Sequence, residues 1–238
     1  GNDIYANLFA AGKADIKLGN KDVVISEDTQ YPWDGDIRMR IDRCSAKGAN
    51  LLIRIPGWVC VVVPSDLYQY NDTQHTGFTV SLNGKKLNTQ LEKGYLPVQG
   101  IKKGDIINIH FDMPVRTVTA NNNVADDRGR VAVERGPLVY CAEAADNSGA
   151  NVLHAIINKA PQFTIADNYT IENRETPNAP SFKVKAIKTT SQMLCDTNDG
   201  KITIKDTTLT LIPYYAWNHR GANAMNIWFM QDLSLLDK

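Results

Sequence analysis

Several residue groups in this 238-residue chain carry side chains suited to catalysis, metal binding or ligand recognition. Glu134 beside Arg135 sets a carboxyl against a cation, the minimum for a general acid. On a strand, however, a solvated or locally paired carboxylate accounts for Glu134 better. Asp126 and Asp127 are adjacent carboxylates of the kind that hard cations take. Consecutive side chains rarely converge, and no third ligand stands near, so a solvated turn is favoured. The histidines at 75, 110, 154 and 219 are isolated, and His110 alternates with Ile109 and Phe111, which puts it on the polar face of a strand. Cys44, Cys60, Cys141 and Cys195 form no C-x-x-C pair. Cys60 and Cys141 sit inside apolar strand runs, where a thiol behaves as a small buried hydrophobe. Nucleophile elbow, phosphate-cradling loop and H-E-x-x-H are all missing from the sequence. No catalytic residue, no metal ligand and no cofactor is therefore assigned to this chain.

Aromatic residues offer a different chemistry. Tyr31-Pro32-Trp33-Asp34-Gly35, Pro56-Gly57-Trp58 and Tyr214-Tyr215-Ala216-Trp217 place large rings beside loop residues. Such rings stack on the apolar face of a sugar while nearby Asp, Asn or Arg bonds its hydroxyls, or they cover sandwich ends and dock a neighbouring domain. Trp33, Asp34, Trp58, Trp217 and Arg220 are the candidates for sugar or interdomain contact.

The elements that must position these residues read as strands. Val23 and Ile25, then Ile37, Met39 and Ile41, then Leu51, Ile53 and Ile55 alternate with polar neighbours. Val59 to Val63 reads as a doubly covered strand. Phe78, Val80 and Leu82 lead into Asn83-Gly84, a type I′ hairpin turn. Ile107, Ile109 and Phe111 alternate again before Met113-Pro114, a domain edge. Beyond it come a strand at Arg116 to Thr119, a segment at Val152 to Ile157 open between helix and strand, and an irregular Pro-, Asn- and Thr-rich excursion from Ala160 to Ser181 with short strands at Phe163 and Tyr169. Strands at Phe182 to Ala186, Leu209 to Leu211 and Met225 to Phe229 complete the set. The spacing predicts an all-β chain of two consecutive antiparallel, jelly-roll-like β-sandwich domains, residues 1–115 and 116–238.

Composition narrows the partners. Lys and Arg number 26 and Asp and Glu 26, a formal charge of zero, so nucleic acid and anionic membrane surfaces are not expected to bind. No apolar run approaches the roughly 20 residues of a membrane span. Without an initiator Met, the chain reads as a piece of a longer protein. The cysteines leave the compartment open.

Asp126 to Asn147 organises the second half. Val131 and Val133 alternate as a half-buried strand, Arg135-Gly136-Pro137 interrupts it, and Leu138-Val139-Tyr140-Cys141 follows as a run covered on both faces. This reads as a strand pair kinked at Gly136-Pro137, with Leu138 in the core.

Several of these segments resemble one family. Tyr31-Pro32-Trp33-Asp34-Gly35, Leu52-Ile53-Arg54-Ile55-Pro56-Gly57-Trp58, Asp127-Arg128-Gly129-Arg130 leading into Arg135-Gly136-Pro137-Leu138-Val139-Tyr140-Cys141, and Ile212-Pro213-Tyr214-Tyr215-Ala216-Trp217 followed by Arg220-Gly221 are similar to the C-terminal region of glycoside hydrolase family 127, the β-L-arabinofuranosidases. The resemblance implies an N-terminal (α/α)6 barrel, absent from this chain, that holds zinc on one Glu and three Cys, one Cys being the nucleophile, with two β-sandwiches after it. It implies no such role for any cysteine here, since the family's adjacent Cys-Cys pair is missing.

Three functions follow as expectations. The first is an accessory region that braces the missing barrel, its partner in the same polypeptide, shapes its rim or mediates a homodimer. It predicts an exposed apolar patch including Ile4, Leu8 and Phe9. The second is a carbohydrate-binding module that stacks an oligosaccharide on exposed rings. The third, a self-contained sandwich enzyme such as a lyase, needs a His, Tyr, Lys or Arg cluster that the scattered histidines do not suggest. The first ranks ahead of the others.

Overall fold

Alternating apolar and polar residues bury one face of a strand and wet the other, and the structure is built from that rule. It is a computed structural model that describes residues 1–60, 66–71, 76–172, 180–196 and 202–233. The chain is all-β, as the spacing predicts, and its sheets, antiparallel except where β1 runs parallel to β5 and β14 to β19, enclose sandwich cores. Two compact units emerge, one of residues 1–64 and 74–114, the other of residues 65–73 and 115–238.

In chain order the strands of the first half are β1 (Asp3–Ala6), β2 (Gly12–Leu18), β3 (Lys21–Thr29), β4 (Asp36–Cys44), β5 (Asn50–Arg54), β6 (Tyr68–Tyr70), β7 (Phe78–Leu82), β8 (Lys85–Lys86), β9 (Tyr95–Val98) and β10 (Ile106–Phe111). All but β6 belong to the first unit. They form a three-stranded sheet, β1-β5-β9, and a six-stranded sheet, β2-β3-β4-β10-β7-β8. Ile37, Met39 and Ile41 of β4 lie opposite or near Ile109 and Ile107 of β10 and are almost wholly buried, while Arg38 and Arg40 point outward. Asn83 and Gly84 both have positive φ, 51° and 79°, as the hairpin turn requires.

An aromatic knot closes one end of this core. Phe111 meets Phe9 at 5.5 Å and Trp58 at 5.8 Å, edge to face, and Tyr31 packs on Phe9 at 5.5 Å. Gly35 lets the backbone of β10 approach: its carbonyl accepts the Phe111 N–H at 3.0 Å, and a Cβ there would sit 2.0 Å from the Phe111 carbonyl oxygen.

Two expectations are corrected here. Val59 to Val63 does not continue as a strand: Gly57–Cys60 is a 3₁₀ turn, with Val59 buried and Cys60 exposed, and residues 61–63 lie outside the described residues. Pro56 lacks the N–H that would extend β5, and its carbonyl accepts the Val59 N–H at 3.1 Å instead. Ile4 and Phe9 are core residues, leaving Leu8 as the exposed member of the expected patch. Strands β2 and β6 carry too little buried apolar surface to announce themselves by alternation.

The second unit holds β6 with β11 (Val115–Ala120), β12 (Arg130–Arg135), β13 (Leu138–Glu143), β14 (Ala155–Ile156), β15 (Phe163–Ile171), β16 (Phe182–Asp196), β17 (Ile202–Pro213), β18 (Met225–Asn226) and β19 (Phe229–Met230). The order is β18-β13-β17-β16-β14-β19-β12-β11-β6, with β15 on β16 and β12 also on β13. The path therefore closes on itself through β12 and β13. Tyr140 and Ala142 of β13 join Leu209, Leu211 and Phe229 in one core, while Cys141 turns to a second core with Val184, Ala186 and Ile212. Of the Leu138-Val139-Tyr140-Cys141 run predicted to be covered on both faces, Tyr140 and Cys141 are buried while Leu138 and Val139 are half-buried.

Gly136-Pro137 is not a kink within a strand but the turn of the β12–β13 hairpin, closed by Arg135 opposite Leu138, with Gly136 at φ 58°. Leu138 accordingly sits half-buried at the hairpin end rather than in the core. Part of the expected irregular excursion is the nine-residue β15, whose pairing shifts between Ala166 and Tyr169; residues 173–179 lie outside the described residues. Val152–His154 is a 3₁₀ turn that runs into β14, so the ambiguous segment is both.

Gly35→Ala should lower the stability of the first unit by about 3 kcal/mol, because backbone must move to admit the methyl group. Gly12→Ala, whose Cβ meets nothing within 4 Å, should stay within about 0.5 kcal/mol. Urea unfolding followed by Trp fluorescence measures both.

Candidate functional site

The candidate contact residues divide between the two units. In the first, the turn after β3 presents Trp33, 42% exposed, held where its N–H donates to the Gln30 carbonyl at 2.8 Å. Asp34 lines a polar depression of about 380 Å³ with Asp28, Asp36, Arg38 and Asn108. Trp58 is half-buried against Phe111 and belongs to the margin of the core. In the second unit Trp217 stacks on Tyr214 at 5.9 Å and packs on the core around Cys141. One face of the Trp217 ring is thus already covered by Tyr214.

The Arg220 side chain is buried, and the reason is electrostatic. The loop after β17 carries its guanidinium back to the end of β13, where it pairs with Glu143 and Asp146; the side chains are 5%, 1% and 2% exposed. Arg220 Nη2 also donates to Asp146 Oδ2 at 2.6 Å. Glu143 Oε1 accepts the Asn218 N–H at 3.1 Å and the Asn223 amide at 3.2 Å, and Asp146 Oδ1 accepts the Tyr169 hydroxyl at 2.8 Å. Every carboxylate oxygen has a donor, as buried charges demand. Burial pushes the Asp146 carboxyl up, and the Tyr169 bond opposes it. The Cys141 thiol lies in the same region and is pushed up to about 12 by burial, so it stays protonated. A cluster whose carboxylate oxygens are all bonded cross-links the fold, while Arg220 Nε stays buried without a hydrogen-bond partner. Both carboxylates are committed to ion pairs with Arg220.

Glu143, Asp146 and Tyr169 were not singled out from the sequence. Both carboxylates lie in the Asp126–Asn147 stretch, but their cation is 74 to 77 positions away, a distance that no local pattern spans.

The other chemistry-bearing residues are also engaged. Glu134 is half-buried, accepts the Tyr70 hydroxyl at 3.2 Å, and has its carboxyl pushed up by burial against the pull of Tyr70 and Arg116. This is the locally paired carboxylate expected. Asp126 and Asp127 lie in a 3₁₀ turn. His110 contacts Asp36 at 2.7 Å and Asp112 at 3.3 Å on the polar face of β10, as expected. His219 packs edge-on to Phe182 at 5.3 Å; His75 and the side chain of Cys195 lie outside the described residues. Cys44 is half-buried. Among the described residues no group of three or more His, Cys, Asp or Glu could hold a metal ion, and no helix is long and apolar enough to cross a membrane.

A groove of about 460 Å³ lies in the first unit, with Ile4, Tyr5, Leu8, Ala14, Ile16 and Met39 in its walls. It lies at the open side of the sandwich: β1 ends the small sheet and β2 ends the large one, so each flanking strand has one edge unpaired among the described residues. Tyr5 and Leu8 are 53% and 79% exposed. Asn7, Lys13 and Glu27 are polar residues in its lining. Glu27, bonded to the Ala10 backbone, keeps Oε1 buried without a partner, and burial raises its carboxyl from the ordinary 4.5 to about 7. Glu27 follows Val23 and Ile25 at period two on β3, the signal by which its position on the core face can be found.

Arg220→Met should cost the second unit about 3–5 kcal/mol, because two buried carboxylates lose their cation. Arg220→Lys should recover only part, lacking the planar fork; thermal unfolding reports both. Glu27 sets a pH window in the first unit. Between about 4.5 and 7 the folded state keeps a proton that the unfolded chain releases, so stability falls as pH rises through that range and then levels off. After screening of a half-exposed group the loss is about 1–2 kcal/mol. Glu27→Gln should abolish the slope in urea midpoints measured from pH 4 to 8.

Comparison with known proteins places this geometry. Residues 3–113 match the model of the β-L-arabinofuranosidase GH127 middle domain, and residues 115–230 match that of the glycoside hydrolase family 127 C-terminal domain. A curated relative, the non-reducing end β-L-arabinofuranosidase of Bifidobacterium longum subsp. longum, is 27% identical over 236 residues, 96% of this chain and 33% of its own. A solved GH127 β-arabinofuranosidase shares 42% identity with a TM-score of 0.87, covering 98% of this chain and 35% of its own. A GH127 β-L-arabinofuranosidase from Geobacillus stearothermophilus T6 is 25% identical with a TM-score of 0.76, over 96% of this chain and 34% of its own. The chain thus spans about a third of the length of the relatives it matches. With the middle and C-terminal models of one family matched in order along almost its whole length, this chain belongs to glycoside hydrolase family 127, as the accessory, non-catalytic β region of that family.

Proposed function

We propose that this chain braces the remainder of a glycoside hydrolase that acts on β-L-arabinofuranosides, with the groove of the first unit as its docking face. The carrying observation is the pairing of coverage with surface. The chain aligns end to end with only a third of its arabinofuranosidase relatives, and it leaves an apolar groove between two open strand edges, with exposed Tyr5 and Leu8 and a buried carboxylate oxygen awaiting a donor. An occupant that adds an apolar side chain and one N–H would fill the groove and satisfy Glu27. Zinc, nucleophile and acid–base residues belong, in this reading, to the partner part of the polypeptide. The described residues do not fit a zinc centre: Cys44, Cys60 and Cys141 stand apart, and no third acidic or histidine ligand joins any of them.

Two measurements test it. The purified chain should hydrolyse an aryl β-L-arabinofuranoside no faster than buffer, and titration with arabino-oligosaccharides should leave its Trp fluorescence unchanged; saturable binding would favour a sugar-binding module. Leu8→Asp, exposed in the isolated chain, should change that chain's stability by less than about 0.5 kcal/mol. In a polypeptide carrying the remaining two thirds, the same substitution should lower the melting temperature by roughly 3 °C or more. Equal behaviour of Leu8→Asp in both contexts would remove the groove as the docking face.

A further inference from the structure

The family's middle and C-terminal segments meet at residue 114, but the chain does not divide there. Residues 65–73, from within the middle segment, fold with the second unit. Strand β6 extends the sheet at β11, with Tyr68 opposite Ala120, Gln69 opposite Thr119 and Tyr70 opposite Val118. Backbone bonds continue the ladder on both sides, from Asn71 N–H to the Thr117 carbonyl at 2.9 Å and from Asn121 N–H to the Leu67 carbonyl at 2.6 Å.

Side chains make the attachment specific. The Tyr70 ring covers the Arg116 guanidinium, whose carbon lies 3.5 Å from the ring centroid. Arg116 is 4% exposed, and a buried guanidinium needs such a cover. The Tyr70 hydroxyl reaches on to Glu134, the direct cross-strand neighbour of Arg116. Asn71 brackets Thr117 and Thr119: its amide donates to Thr117 Oγ1 at 3.1 Å, and its carbonyl oxygen accepts the Thr119 hydroxyl at 2.7 Å. Tyr68 stacks on Trp228 at 5.7 Å. A strand of three residues thus closes a sheet edge, lids a buried cation and supplies a donor to a half-buried carboxylate.

We infer that the outer edge of β11 is a strand-binding site of the C-terminal domain, filled in cis by Leu67–Asn71 as a strap from the middle domain. The C-terminal domain is incomplete without it. Its natural boundary includes Leu67–Asn71, and a chain cut at 114 exposes Arg116, Glu134 and an unpaired edge, the template on which strands aggregate.

Hydrogen exchange on the intact chain tests this. Gln69 is exposed and touches no core, so Gln69→Pro removes a strap N–H and little else. In that variant, and in Tyr70→Ala, exchange in Val115–Ala120 and Arg130–Arg135 should quicken at least several-fold, while Asp36–Cys44 and Ile106–Phe111 keep their protection. The second unit, followed by Trp217 and Trp228 in a Trp33→Phe/Trp58→Phe background, should melt roughly 5 °C lower. Gln69→Ala should be silent, and Tyr70→Phe should fall between, keeping the ring over Arg116 but losing the bond to Glu134. Unchanged protection at Val115–Ala120 in Gln69→Pro and Tyr70→Ala overturns the proposal, as does an equal loss in both units. Should Gln69→Pro yield no soluble chain, Tyr70→Phe and Asn71→Ala decide on the same peptides.

Discussion

A strand covered on both faces must satisfy every polar group it carries to its end, and in the second unit that strand is β13. Tyr140 and Ala142 fill one core, Cys141 fills the other, and the strand runs out in Glu143, a carboxylate almost wholly removed from water. Burying such a charge alone costs several kcal/mol. Arg220 answers it, which obliges the loop beyond β17 to fold back, draws in Asp146, and through Asp146 fastens Tyr169 of β15. Asn147 completes the tie by donating to the Glu143 and Thr210 carbonyls and accepting the Thr210 N–H at 2.8 Å. The polar network thereby decides which loops lie on which strands, a matter on which the apolar cores, being non-directional, are silent.

The first unit is shaped by a different inequality. Three strands face six, and a small sheet cannot cover a large one to its rim. The uncovered margin is the groove at β1 and β2, and Glu27 is tolerable there because its proton can stay on. Gly35 shows the opposite economy: the turn after β3 is pressed so closely to β10 that only hydrogen fits, which is why Gly ends the Tyr-Pro-Trp-Asp-Gly motif.

Much of the fold was legible from alternation. Strands β4, β5 and β10 each bury alternate Ile, Leu, Met or Phe, β7 buries Val80 between half-buried Phe78 and Leu82, and period two admits no other element. Strands β2 and β6 were not, because their stability comes from cross-strand bonds and ring contacts with distant chain rather than from a buried stripe. Gly136-Pro137 was recognised as a break but taken for a kink, since sequence cannot distinguish a bulge from a two-residue turn until the register of Arg135 with Leu138 is seen. The aromatic motifs were visible, but not whether each ring faces solvent or core; Trp33 and Trp58, alike in sequence context, differ in that respect.

Family, fold class and strand faces were determined by sequence alone, because motif identity and the two-residue period are local properties of the chain. Tertiary structure decided where charge goes. Arg220 could be assigned to a ligand, a solvent-facing loop or a buried pair with equal local justification, and Tyr70 to either unit. Their roles depend on partners separated by 64 to 77 residues, Glu134 for the Tyr70 hydroxyl and Glu143 for Arg220. Electrostatic and hydrogen-bond complementarity of that kind exists only after the chain has closed.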